Sequence, residues 1–195
     1  TYSTELEHAR FFAQALRGDG TFGPSAPQSP GASDPTGISP NADIFIYSQH
    51  PAGGLAGWDS VQWLSASASD RSTKAYFDTF VADLRALEPA TDFYLIPAGD
   101  VFHELAQQIR VGNVPGIVSH RDWFDDNVHL NQKGAYVPAL TFYAVIYGKD
   151  PRGMRVPSQY PLTPAEATAI QNAVWKVVSR DPYAGIANGL VVTTL

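Results

Sequence analysis

Two short apolar segments constrain the fold of this chain more than any other feature. Residues 43–48 (Asp-Ile-Phe-Ile-Tyr-Ser) and residues 93–96 (Phe-Tyr-Leu-Ile) are nearly continuous runs of β-prone side chains, which is typical of strands buried on both faces. Between them, residues 70–88 carry apolar side chains at helical spacing, and Pro89 follows. Strands separated by a helix pair in parallel through a right-handed crossover, so the sequence predicts an α/β fold.

The rest of the chain adds helices but no further convincing strand. Apolar spacing predicts helices over residues 4–16, 100–110, 131–147 and 164–180, and the Pro- and Gly-rich residues 20–41 predict an irregular loop. A doubly wound sheet has about five strands, and two parallel strands cannot make a sheet with both faces covered. We therefore expect one domain over residues 1–195 whose sheet is incomplete in this chain.

The composition excludes several classes of function. The chain has 195 residues with 13 Lys and Arg against 19 Asp and Glu, a net charge of −6, and such a surface does not favour nucleic acid. The absence of cysteine excludes a disulfide framework, a thiolate zinc site and a cysteine nucleophile. No apolar run approaches the about 18 residues of a membrane span, and no glycine motif for nucleotide phosphates is present. We expect no cofactor.

The most informative polar segment is residues 125–136 (Asp-Asp-Asn-Val-His-Leu-Asn-Gln-Lys-Gly-Ala-Tyr). Asp126 precedes His129 by three residues in a turn that opens a helix, and this spacing can bring the carboxylate against the imidazole. The carboxylate then holds the ring in one tautomer, and the ring can accept a proton from a nucleophile. The simpler alternative is a solvated turn that caps the following helix.

This segment resembles the last conserved block of the SGNH (GDSL-type) hydrolases. In that family an Asp-x-x-His motif is often followed by Pro/Leu-Asn and by a glycine that starts a packed helix, as Leu130-Asn131 and Gly134 do here. The resemblance extends in order over most of residues 41–180. Its last part looks like a bacterial subgroup with an extended C-terminus.

The resemblance implies a flavodoxin-like three-layer parallel sheet with flanking helices and a serine esterase of which this chain is the C-terminal portion. His129 would act as general base and then acid, and Asp126 would orient its ring. The family's Gly-Asp-Ser-Leu turn and its oxyanion blocks are not found upstream of Asp43, so we expect the nucleophilic serine and three strands before Thr1.

The resemblance also carries expectations about partners. The N-terminal segment of the same gene product is expected to stay bound, because the apolar strands need covering. The substrate is expected to be a small-molecule or carbohydrate ester, with an acyl or acetyl group. The resemblance favours a secreted or periplasmic location, because members of the family are often found there; the sequence itself does not decide it.

Two other serines are competing candidates for the nucleophile. Ser60 lies in Gly57-Trp58-Asp59-Ser60-Val61, which echoes Gly-Asp-Ser-Leu but follows a Gly-rich loop instead of a strand, so a loop role is favoured. Ser48 ends the first strand, where open α/β sheets bind ligands, but it lacks a sharp glycine-flanked turn. A structural or pocket-lining role is favoured for Ser48.

Three further hypotheses about function remain. Thr1 taken literally is an N-terminal nucleophile, although that architecture needs an antiparallel sandwich. A binding or structural module that keeps the fold without a nucleophile is the main alternative to an enzyme. A metal site would require His50, His120, His129 and Asp126 to converge in space, since no His-x-x-x-His or His-Glu-x-x-His spacing is present.

Overall fold

The computed structural model describes residues 1–18, 41–50 and 63–186 and shows an α/β chain. In chain order the elements are α1 (Tyr2–Arg17), β1 (Ile44–Tyr47), α2 (Lys74–Leu87), β2 (Phe93–Ile96), α3 (Ala98–Arg110), a 3₁₀ turn (His120–Trp123), α4 (Gln132–Tyr147) and α5 (Pro164–Val178). The predicted loop over residues 20–41 lies, apart from Asn41, outside the described residues. No helix in these ranges is both long and apolar enough to cross a bilayer.

The two strands pair in parallel, as their separation by α2 predicts. The register aligns Ile44 with Phe93 and Tyr47 with Ile96. Within the described ranges the sheet has only these two strands. The α/β prediction is therefore confirmed at the level of two parallel strands connected by a helix.

Helices cover both faces of this small sheet. Ile44 and Ile46 of β1 pack with α1 and α2, whereas Phe45 and Tyr47 pack with α3, α4 and α5. Successive side chains of a strand point to opposite faces, so the two apolar clusters lie on opposite sides of the strands. Fully buried side chains in these clusters include Trp63, Val81, Leu84, Phe102, Trp123 and Ile170.

The start of α2 differs from the sequence prediction because of local capping. Asp70 closes a turn in which its Oδ1 accepts from the Ser72 N–H at 2.8 Å, and the chain is not yet helical there. Thr73 is the N-cap, since its Oγ1 accepts from the Tyr76 N–H at 3.2 Å. The helix therefore begins at Lys74, four residues after the position that apolar spacing predicts.

The start of α5 follows the predicted capping box. Thr163 Oγ1 accepts from the Glu166 N–H at 3.2 Å, and Glu166 Oε2 accepts from the Thr163 N–H at 2.6 Å. Pro164 occupies the first helical position, where a missing N–H costs nothing.

Candidate active site

The Asp-x-x-His segment is a short loop with a closed base. An antiparallel bridge joins Phe124 to Leu130, and the Asp125 N–H donates to the His129 carbonyl oxygen at 2.9 Å. The loop thus projects from two paired residues. Its tip consists of Asp126, Asn127 and Val128, and hydrogen bonds within the loop stabilise the turn that they form.

Asp126 organises the loop with both carboxylate oxygens. Oδ1 accepts from the backbone N–H groups of Val128 at 2.6 Å and His129 at 2.7 Å. Oδ2 lies 2.7 Å from Nδ1 of the His129 ring. The predicted pairing of Asp126 with His129 is therefore present in the structure, and the same carboxylate also forms the turn.

The pair is open to solvent, and its hydrogen bond shifts the pKa of both partners. The hydrogen bond with the His129 ring, followed by the two backbone donors, lowers the pKa of Asp126 to about 2. The same hydrogen bond raises the pKa of His129 above its ordinary value of 6.5. The side chains are 77% exposed at His129 and 55% exposed at Asp126, so the outer edge of the imidazole is accessible to a further group.

The helix that follows the loop is anchored by Asn131 and Gly134. Asn131 Oδ1 accepts from the Gly134 N–H at 3.0 Å and so caps α4, while its Nδ2 donates to the Asp122 carbonyl at 2.8 Å. A Cβ on Gly134 would lie 2.2 Å from the carbonyl oxygen of Trp123. A glycine is therefore required here for the helix to pack against the residue that precedes the loop.

His50 connects the loop to the carboxyl end of β1. Its Nε2 lies 3.4 Å from the Val128 carbonyl oxygen, and its Nδ1 lies 3.3 Å from the hydroxyl of Tyr47. Its position after a strand was visible in the sequence, but the contact with Val128 was not, because 78 residues separate the two.

The structure gives the other predicted nucleophiles structural surroundings. Ser48 is fully buried, and its Oγ accepts from the Gly99 N–H at 3.3 Å, as a structural role requires. The Thr1 hydroxyl caps α1 by accepting from the Thr4 N–H at 3.4 Å, and α1 packs against α2 on the opposite face of the sheet from Phe45. Ser60 lies outside the described residues.

The residues of the possible metal site come together only in part. Asp126 and His129 pair directly, His50 contacts the neighbouring Val128, and His120 lies in the 3₁₀ turn. In the parts of the chain that the structure describes, no group of three or more His, Asp and Glu side chains is arranged to hold a metal ion.

A groove of about 560 Å³ runs beside the loop. It is bounded by Asp125 and Asn131 of the loop region and by Gly116, Ile117 and Pro161. Neither Asp126 nor His129 lines this groove, so it lies next to the pair and does not enclose it.

A second charged cluster lies away from the loop, where α2, α3 and the chain after α5 meet. The Lys74 ammonium lies 3.0 Å from Asp78, 3.1 Å from Asp100 and 3.6 Å from Asp181. Burial raises the pKa of Asp181, whose side chain is almost inaccessible. Each carboxylate is within ion-pair distance of the same ammonium, so the cluster joins three elements.

Comparison with protein-family models, with curated proteins and with solved structures finds no match to this chain. What the Asp126–His129 loop can do chemically therefore follows from its own geometry.

Proposed function

We propose that this chain is the C-terminal part of an SGNH-type serine esterase, in which Asp126 and His129 serve a nucleophilic serine carried by polypeptide outside residues 1–195. The proposal includes a flavodoxin-like three-layer fold with a parallel sheet, of which β1 and β2 are two strands. The substrate is a small-molecule or carbohydrate ester, with an acyl or acetyl group.

One observation carries the proposal: the Asp126 carboxylate holds Nδ1 of His129, and the ring is otherwise exposed. In a neutral ring whose Nδ1 carries the proton, Nε2 is the basic nitrogen. That nitrogen has no hydrogen-bond partner among the described residues, so it is available to a serine hydroxyl.

The chemistry then follows the general serine mechanism. Nε2 takes the hydroxyl proton as the serine oxygen bonds to the ester carbonyl carbon, and Asp126 stabilises the imidazolium that forms. The imidazolium gives this proton to the departing alcohol as the carbon–oxygen bond of the ester breaks. Water, deprotonated by the same nitrogen, then attacks the acyl carbon, and the acid leaves as the serine oxygen takes this proton back from the imidazolium.

The sheet supports a nucleophile that comes from outside. β1 has no second neighbour among the described strands, and parallel sheets are normally covered on both sides and continue to several strands. A strand added next to β1 would end near the loop, because His50 ties the carboxyl end of β1 to Val128. Ligand sites of open α/β sheets lie at that end of the strands.

The second candidate is a binding or structural module without a nucleophile. It is favoured by one observation, namely that no serine in residues 1–18, 41–50 or 63–186 hydrogen-bonds to the His129 ring. In that case Asp126 and His129 only shape the turn before α4.

The two candidates are separated by ester hydrolysis. The protein as encoded, with any sequence that precedes Thr1, is assayed with p-nitrophenyl esters from acetate to octanoate and with acetylated oligosaccharides. Turnover that titrates with a single basic group supports the esterase. Absence of hydrolysis across the whole panel by folded protein would support the module.

A further inference from the structure

The peptide group between Val128 and His129 is held at both of its polar atoms. Its carbonyl oxygen, from Val128, lies 3.4 Å from Nε2 of His50. Its N–H, from His129, donates to Asp126 Oδ1 at 2.7 Å. Holding both ends of this plane fixes the backbone dihedral angles on either side of it, and these set the direction of the Cα–Cβ bond of His129.

In its neutral form His50 has one arrangement of protons that satisfies both ring nitrogens. The Tyr47 hydroxyl donates to Nδ1 over 3.3 Å, so the ring proton is on Nε2 and points to the Val128 carbonyl. Burial lowers the pKa of His50, which keeps this neutral form at neutral pH. His50 and His129 therefore present opposite tautomers, the first as a donor to the loop and the second as a base.

The ring of His50 is also held by its neighbours. Its centroid lies 5.3 Å from that of Phe102 in α3 and 5.6 Å from that of Phe124 at the base of the loop. Tyr47 packs in turn against Phe142 of α4, with centroids 5.3 Å apart. Contacts with the sheet and with two helices thus hold the His50 ring that carries the donor, whereas the loop that accepts from it is exposed.

We infer that His50 is a positioning residue for the candidate base: its Nε2–H holds the Val128 carbonyl and thereby orients the imidazole of His129. The inference rests on the proposed function. It adds a third side chain to the pair, one that acts through the backbone of the loop without touching the reacting atoms. The sheet then sets the direction of the His129 ring, which is otherwise fixed only by the turn to which it belongs.

The test compares two substitutions in the protein as encoded. His50→Phe keeps an aromatic ring between Phe102 and Phe124 but removes the donor, whereas His50→Gln places an amide N–H close to the position of Nε2. For each variant, kcat and KM are measured, and the His129 ring is titrated by NMR with labelled histidine. Far-UV circular dichroism and thermal unfolding establish that each variant is folded.

We expect His50→Phe to lower kcat by about 10- to 100-fold with KM changed less than about twofold, because the base is misplaced and the binding surface is kept. The pKa of His129 should fall toward its ordinary value as the loop leaves the conformation that pairs it with Asp126. His50→Gln should recover most of the loss in kcat and most of the shift in the pKa.

Two results would overturn the inference. If His50→Phe is folded and leaves both kcat and the pKa of His129 unchanged, His50 only packs. If His50→Gln is as impaired as His50→Phe, the ring and not the donor matters. The titration needs no turnover, so a parent protein that hydrolyses no ester would contradict the proposed function while the coupling between His50 and His129 is still measured.

Discussion

The two edges of the sheet are finished differently. Beyond β2, the Leu95 N–H donates to the Tyr183 carbonyl oxygen at 2.9 Å, so the chain that follows α5 pairs with this edge. Arg85 reinforces it, since Nε donates to the Phe93 carbonyl at 2.8 Å and the guanidinium lies 5.1 Å from the ring centroid of Tyr183. The irregular segment after α5 thus covers and closes this edge of the sheet.

Beyond β1 the edge is open within the described part of the chain. The N–H groups of Ile44 and Ser48 face β2, where they donate to Asp92 and Ile96. Because the backbone N–H and C=O groups of successive strand residues point to alternate sides, those of Phe45 and Tyr47 point away from β2. No described strand pairs with them there.

This difference gives the sheet a direction of growth. Another strand can add to the edge that is unpaired among the described residues, whereas on the other edge the Leu95 N–H and the Phe93 carbonyl already have partners. The Asp126–His129 loop is tied by His50 to the carboxyl end of the open strand. We therefore expect substitutions on the loop side to change chemistry and substitutions on the closed side to change stability.

The largest expected effect is at the base itself. In the protein as encoded, His129→Ala should lower kcat for ester hydrolysis by about 10⁴-fold or more, because in the proposed mechanism His129 is the base that takes the serine proton. The melting temperature should change little, since the ring is 77% exposed. Steady-state hydrolysis and thermal unfolding check both statements, and activity within tenfold of the parent would mean that the loop only caps α4.

A smaller loss is expected at the orienting carboxylate. Asp126→Asn should lower kcat by about 10²- to 10⁴-fold, because the amide favours the wrong tautomer of His129. His129 must be neutral to act as base, so the parent rate should rise as the pH passes its raised pKa, above 6.5. Asp126→Asn removes the cause of that shift.

The inflection of the residual activity should therefore move to lower pH in Asp126→Asn. A pH profile of kcat/KM from 5 to 9 would show the movement. An inflection that stays in place would mean that a group other than His129 titrates.

The sequence predicts the strands and the loop better than their surroundings. The run Phe93–Ile96 is a strand with the predicted bounds because it is buried on both faces, and the Asp126–His129 pair follows from spacing within one turn. Neither the contact of His50 with Val128 nor the pairing of Tyr183 with Leu95 has a local signal. Both depend on chain segments that are distant in sequence, and the segment at Tyr183 has no periodic pattern.

Amide hydrogen exchange tests the comparison of the edges itself. In the chain of residues 1–195, the amides of Phe45 and Tyr47 should exchange about 100-fold faster than that of Leu95, because exchange follows local opening and Leu95 is paired. When the polypeptide that is proposed to supply the serine is present, this difference should disappear. Slow exchange of Phe45 and Tyr47 in residues 1–195 alone would show that the edge is already covered.

The smallest effect is expected on the closed edge. Arg85→Ala removes the bond to the Phe93 carbonyl and the contact with Tyr183 and should destabilise the fold by about 1–3 kcal/mol, with kcat of the folded protein unchanged. Arg152→Ala is the matched control, because this exposed guanidinium pairs with Asp150 and lies 5.9 Å from the ring centroid of Trp175 but donates to no strand carbonyl; it should cost at most about 1 kcal/mol. Denaturant unfolding measures both, and equal costs would remove the special role of Arg85.

The most direct test of the central claim is covalent labelling of the nucleophile. The protein as encoded is treated with a fluorophosphonate, and the modified peptide is identified by mass spectrometry, in the parent and in His129→Ala. We predict one serine adduct, located outside residues 1–195 and formed far more slowly in His129→Ala. Absence of any adduct on folded parent protein, or an adduct whose rate does not depend on His129, would contradict the account.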